Sequence, residues 1–266
     1  MSRNYMFPLR NQLVFALVMQ DEKCCKDFIE RVLGRRVSRV NILNRIKIDY
    51  EKSVILTPQT KYVRLDVLFE GDDTWYDLEM QCENEGNIPK RTRYIHGIMD
   101  AQELEPGDDY NRLKTSYVIF VCCFDPMGQG EPVYCFEMFD SKNDLSLGDD
   151  SYTILLNSKA RGADISQELR NLFDYINSDR VAEDDGFIQE LDDAVRIWNT
   201  GDKMDMLLTA TQKDQAIKEE RARQEGIAEG KKEKAIEDAR AFAREGVSAD
   251  VISRCTGLTV EEVNAL

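Results

Sequence analysis

Apolar positions recur at close to helical spacing over residues 10–33, from Leu13, Phe15 and Leu17 through Phe28, Ile29 and Val32, and Gly34 follows them. This predicts one helix with a glycine stop. The next stretch, "RVSRVNILNRIKI", alternates imperfectly and predicts a strand. Residues 62–81 predict a β-hairpin: the runs "LDVLF" and "TWYDLEMQ" flank "GDDT", a polar turn of the kind hairpins use. With Asp72 and Asp73 at its tip, paired residues have numbers summing to 145, which sets Asp66 against Glu79 (66 + 79 = 145). The period of two places Asp77, Glu79 and Gln81 on one face and Tyr76, Leu78 and Met80 on the other.

Beyond the loop "ENEGN", residues 88–104 predict a second helix with Pro89 in its first turn, where proline is tolerated. "LKTSYVIFVCCF" reads as a fully buried strand, and "PVYCFEMFD" as another strand after the turn "DPMGQGE". The order is helix, three strands, helix, strand, strand. From about residue 163 the pattern is helical, over "DISQELRNLFDYIN" and "GFIQELDDAVRIW". The polar stretch from 202 to 245 has no sustained heptad and reads as a solvated helix or arm rather than a coiled coil. The last twenty residues predict two short helices broken at Gly257, the second opened by a capping box of Thr259 and Glu262. That pair is too short to stand alone as a DNA-reading helix-turn-helix. The chain thus divides into a core at 1–160, a helical extension at 161–201 and a charged arm with its helical pair at 202–266.

Composition changes the picture in three ways. No apolar run approaches the roughly 20 residues of a membrane span, and "MSRNYMFPLRNQ" lacks the apolar segment of a signal peptide, so the expectation is a cytoplasmic protein with no membrane partner. Seven cysteines, an odd count with no C-x-x-C spacing, argue against a disulfide framework or a structural zinc site, and His96 is the only histidine. The net charge of −15 counts against nucleic-acid binding, but it is unevenly spread. Residues 1–125 carry 18 Lys and Arg against 20 Asp and Glu, whereas residues 126–266 carry 17 against 30. Residues 1–47 hold 10 basic side chains and 4 acidic ones, so a local basic surface is compatible with an acidic whole.

The hairpin carries the candidate chemistry. Strand interiors disfavour acids, and like charges directly opposed across a hairpin are destabilising. Two readings of Asp66 and Glu79 follow: a solvated sheet face, or a cation held between them. Hard cations take carboxylate oxygens, so the second reading needs no histidine.

The ordered set Arg64-Leu65-Asp66, then Glu79-Met80-Gln81, then "PKRTRY" and "GDDYNRLKTSYVIF", resembles the PD-(D/E)XK nuclease family transposases, in particular the Rpn-like recombination-promoting nucleases. The resemblance covers roughly residues 7–175. It implies an α/β, restriction-endonuclease-like αβββαβ core with a mostly helical C-terminal region. The implied activity is a metal-dependent DNA endonuclease of recombination or transposition, hydrolysing phosphodiester bonds with a metal-activated water. Asp66 and Glu79 become ligands of Mg²⁺, or of Mn²⁺, with the backbone carbonyl of Met80 as a third oxygen. A lysine usually stands two residues after the second acid; here it is Gln81, which cannot supply that charge but can orient a water or meet the phosphate.

Double-stranded DNA is the implied partner, and a homo-oligomer stays open. Lys90, Arg91 and Arg93 open the helix after the hairpin as candidate contacts to the DNA backbone, against the plainer reading of a solvated helix end. Tyr94 and Glu51 are additional candidates, and His96 reads as structural. The family's first helix reads "N-D-x-x-F-K"; here Gln12 replaces the acid and Ala16 the lysine. Those departures carry the alternative, a catalytically decayed relative serving as a DNA- or protein-binding scaffold.

Overall fold

A computed structural model describes residues 5–43, 47–49, 54–56, 67–162 and 165–266. The chain divides into two compact units, Met1–Leu208 and Thr209–Leu266.

The first unit opens with two helices where the apolar spacing predicts one. Helix α1 (Gln12–Val18) is capped by Asn11, whose side chain accepts from the amides of Leu13 and Val14. Helix α2 (Glu22–Leu33) starts afresh because the Asp21 carboxylate accepts from the Cys24 amide. An aspartate that can satisfy an orphan amide at an N-cap breaks a run that hydrophobic spacing alone would continue. Gly34 ends α2 with a left-handed φ of 63°.

The strands are β1 (Asn41–Ile42), β2 (Lys47–Asp49), β3 (Val54–Leu56), β4 (Val67–Gly71), β5 (Thr74–Gln81), β6 (Thr115–Cys122), β7 (Val133–Phe136), β8 (Phe139–Asp140), β9 (Leu145–Ser146) and β10 (Ser151–Asn157). Strands β2 and β3 pair only with each other, as do β8 and β9; the rest form one sheet ordered β1-β4-β5-β6-β10-β7. The strand expected over "RVSRVNILNRIKI" is therefore two elements, since β1 joins β4 in the main sheet and β2 joins β3 outside it.

The hairpin register follows from its tip. Asp72 and Asp73 both take positive φ, 51° and 58°, the conformation of a two-residue turn that matches strand twist. Val67 pairs with Leu78, Leu68 with Asp77 and Phe69 with Tyr76, each pair summing to 145. Gly71 is required at the tip because a Cβ there would lie 2.4 Å from the Arg39 carbonyl oxygen.

Helix α3 (Ile88–Glu103) carries the chain from β5 to β6, which lie parallel. Strand β10, unassigned by the sequence pattern, then inserts between β6 and β7, parallel to the first and antiparallel to the second. Helices cover both sheet faces. Tyr76, Leu78, Met80, Ile119, Val121, Ile154 and Leu156 pack with α1, α2, α4 (Gln167–Ser178) and α5 (Gly186–Trp198). Leu68, Val118, Phe120, Cys122 and Leu155 pack with Ile88, Ile95 and Met99 of α3. Across the first face runs an aromatic stack, Phe69–Tyr76–Tyr117–Tyr152, with centroid separations of 4.8, 5.4 and 4.9 Å. This is the α/β, restriction-endonuclease-like arrangement implied by the resemblance: helix, three antiparallel strands (β1, β4, β5), helix α3 and the parallel β6.

Helix α6 (Gly201–Arg244) is continuous. In the second unit its Ala239 packs with Ile252 of α7 (Ala249–Thr256), with Leu258, and with Val263 of α8 (Val260–Asn264). Gly257 separates the two short helices at φ 75°, and Thr259 with Glu262 forms the expected capping box.

Candidate active site

Strand β5 presents Asp77, Glu79 and Gln81 to the α3 side, where their neighbours on β6 are Val118, Phe120 and Cys122. Asp77 and Glu79 are completely buried and Gln81 is 3% exposed. A solvated sheet face, one of the two readings of these acids, is therefore excluded for Glu79. A buried carboxylate needs compensation, because its desolvation costs far more than any apolar contact returns.

Helix α3 supplies it. Arg91 donates from Nη2 to Glu79 Oε2 and from Nη1 to Gln81 Oε1, the latter at 3.0 Å. Its guanidinium lies over the Phe120 ring, 5.4 Å from the centroid. Gln81 in turn donates from Nε2 to the Glu83 carbonyl at 2.8 Å, which fixes the amide with its oxygen toward Arg91. From the opposite side of the sheet, Gln12 of α1 donates from Nε2 to the Met80 carbonyl at 2.9 Å.

The other candidates separate. Lys90 and Arg93 are exposed, and Tyr94 is 46% exposed, so they share the outer side of α3. Arg91 follows the inner side because it lies three residues after Ile88 and four before Ile95, both in the core. Asp66 and Glu51 lie outside the described residues. His96 is held between hydroxyls, with Nδ1 2.9 Å from Ser116 Oγ and Nε2 3.4 Å from Thr153 Oγ1. Burial pushes its pKa down to about 4, against a smaller opposing pull from Asp149, so the imidazole is neutral.

A model of the PD-(D/E)XK nuclease family transposases matches residues 11–242. The chain belongs to that family. No curated protein matches it, and no solved structure does. Membership identifies a nuclease of the transposition and recombination class, with DNA as the class of substrate, and PD-(D/E)XK nucleases generally use divalent metals. The matched span runs through the nuclease core and most of α6. No helix among the described residues is long and apolar enough to cross a membrane.

The Glu79 carboxylate and the Met80 carbonyl on β5 are hard oxygen donors of the kind divalent cations take. Among the described residues no three His, Cys, Asp or Glu side chains are grouped so that they could hold a metal ion. Gln12, at the position where the resemblance implies an acid, reaches β5 through its bond to the Met80 carbonyl.

Two features escaped the sequence pattern. The inward turn of Arg91 had a signal, its spacing from Ile88, Thr92 and Ile95 on the buried face of α3. The approach of the Cys82 and Cys123 sulfurs to 2.8 Å, just beyond the ends of β5 and β6, had none, because it depends on parallel pairing of distant strands.

Proposed function

We propose that this chain is an endonuclease of double-stranded DNA, in the Rpn-like recombination-promoting group, that depends on Mg²⁺ with Mn²⁺ as a substitute. Glu79 carries the reading: a fully buried carboxylate in mid-strand, two residues before an equally enclosed Gln81, held by a guanidinium from the next helix. Asp66, Glu79 and the Met80 carbonyl would hold the ion. When bound, a divalent cation neutralises charge building on the phosphate and lowers the pKa of the attacking water.

The chain's own residues do the rest. Gln81 orients the attacking water through its amide. Lys90 and Arg93, exposed on the outer side of α3, meet the DNA backbone, and Tyr94 lies beside them. No protein nucleophile is required, which suits a chain whose single histidine is tied to two hydroxyls. Seven unbridged cysteines suit a reducing compartment, and we place the protein in the cytoplasm.

One observation favours a second reading, a decayed relative that binds without cutting. Gln12 spends its amide N–H on the Met80 carbonyl, the oxygen assigned to the metal. Nicking of supercoiled plasmid with Mg²⁺, with chelator, and in Glu79→Gln separates the two. Metal-dependent nicking that disappears in Glu79→Gln supports the nuclease; retarded plasmid migration without nicking at any metal concentration supports the scaffold.

A further inference from the structure

Phosphodiester cleavage builds negative charge on the phosphate, and the β5 pair brings none of the opposite sign: Glu79 is an acid and Gln81 is neutral. Arg91 brings it. Three contacts fix the guanidinium: the Glu79 carboxylate, the Gln81 amide oxygen at 3.0 Å, and the Phe120 ring beneath it. Phe120 is itself the β6 register partner of Glu79, so ring, acid and guanidinium belong to one cross-section of the sheet. The Gln81 amide is held from its other end by the Glu83 carbonyl, which leaves its oxygen committed to Arg91.

A guanidinium carries five N–H donors in a rigid fork. The bonds to Glu79 and Gln81 engage one on each terminal nitrogen, and the side chain remains 23% exposed, within reach of solvent and of a ligand.

We propose that Arg91 is the positioning residue of this site: it holds Glu79 and Gln81 in register and supplies the fixed positive charge against which the DNA phosphate is bound. This rests on the nuclease reading of Glu79. Lysine would serve poorly in its place, since a compact ammonium cannot fork between an acid and an amide. The arrangement also sets Arg91 in opposition to a metal ion, because both draw on the same carboxylate. A residue that merely props the site open would help metal binding; one that contributes charge would hinder it.

The test compares wild type, Arg91→Gln, Arg91→Lys, Glu79→Gln and the double variant Arg91→Gln/Gln81→Lys. The readouts are nicking of supercoiled plasmid and the rise in melting temperature with MnCl₂. Arg91→Gln should nick about 100-fold more slowly, the scale of losing one preorganised donor, while its Mn²⁺ stabilisation equals or exceeds that of wild type. Arg91→Lys should fall between. The double variant, which restores a positive charge on the neighbouring side chain that Arg91 bonds, should recover about tenfold of the rate.

Arg91→Gln nicking at the wild-type rate while Glu79→Gln is inactive overturns the role of Arg91 and leaves the nuclease reading standing. Loss of Mn²⁺ stabilisation in Arg91→Gln as complete as in Glu79→Gln reduces Arg91 to a structural prop. A wild type that does not nick, or a Glu79→Gln that does, removes the nuclease reading and this proposal with it.

Discussion

Leu78 and Glu79 are consecutive on β5, equally and completely buried, and they face opposite sides of the sheet. On the Leu78 side the buried neighbours are mainly apolar and aromatic: Phe69, Tyr76 and Tyr117 stack in line and Met80 completes the packing. On the Glu79 side Asp77, Glu79 and Gln81 run beside Val118 and Phe120 beneath α3, a layer that also holds Arg91, His96 and Ser116. Each Leu-type contact repays its own burial, whereas a buried carboxylate persists only with partners and at a net cost. One strand therefore separates two kinds of residue by parity: Tyr76, Leu78 and Met80 fill the core, while Asp77, Glu79 and Gln81 carry buried polar groups.

The largest expected effect tests that division directly. Glu79→Gln should reduce metal-dependent nicking by about a thousandfold or more, in line with loss of a principal electrostatic element, yet cost only about 1 kcal/mol of unfolding free energy, because the amide keeps a hydrogen bond to Arg91 without a buried charge. Leu78→Ala should behave conversely, losing about 3 kcal/mol of stability through the cavity it leaves while the surviving folded fraction still nicks. If both variants lose stability equally, the two faces are not specialised.

Metal addition should sharpen the contrast. At a hundredfold excess over its dissociation constant, Mg²⁺ should stabilise wild type and Leu78→Ala alike by about 2.7 kcal/mol, and should not stabilise Glu79→Gln. Thermal melts with and without chelator give the comparison.

A smaller effect concerns pH, and again only one face. His96 is on the α3 side with Ser116 and Thr153, near Asp149, and its pKa is pushed down to about 4. The unfolded chain, with histidine near 6.5, binds a proton that the folded chain refuses. Stability should therefore fall as pH drops from about 6.5 toward 4, by at most about 1.4 kcal/mol per unit. Asp100 on the same helix is pushed up by burial and by Glu103 and Asp149, so it works in the opposite sense. The slope lost in His96→Gln isolates the histidine, since Asp100 is common to both proteins.

The hairpin was legible because its register is a local matter. Two aspartates tolerant of positive φ set the tip, and every described pair follows from them. The stop at Gly34, Pro89 in the first turn of α3 and the Thr259–Glu262 box are local in the same way. The break between α1 and α2 was within reach, since Asp21 is a good cap, but hydrophobic spacing outweighed it. Strand β10 was not within reach: its apolar centre is three residues long, and its place is decided by what β6 leaves open. Of the site, the Glu79–Gln81 face could be read from the period of two, whereas the bonds from Arg91 and Gln12 join elements that only the folded sheet brings together.

The smallest expected effect concerns the second unit, where Ala239, Ile252, Leu258 and Val263 form a small buried cluster. It shares none of the β5 chemistry, so a 1–208 fragment should retain the nicking rate and an unfolding free energy within about 0.5 kcal/mol of the full chain's first unit. A fragment that folds but no longer nicks would bring the helical arm into the comparison as a third participant.

The insertion of β10 between β6 and β7 bears on synthesis. The two strands it separates are consecutive in the chain and joined by a short turn-rich segment, so a growing polypeptide meets them first as a ready-made hairpin. The native order forbids that pairing. Until residue 157 has been made, Val118, Ile119, Phe120 and Val121 have an open strand edge on one side, and any premature hairpin must be undone to admit the latecomer. Non-local pairing of this kind is slow and leaves sticky intermediates. A pause in synthesis that leaves β7 outside the ribosome while β10 is still enclosed would hold this nascent chain at an aggregation-prone length.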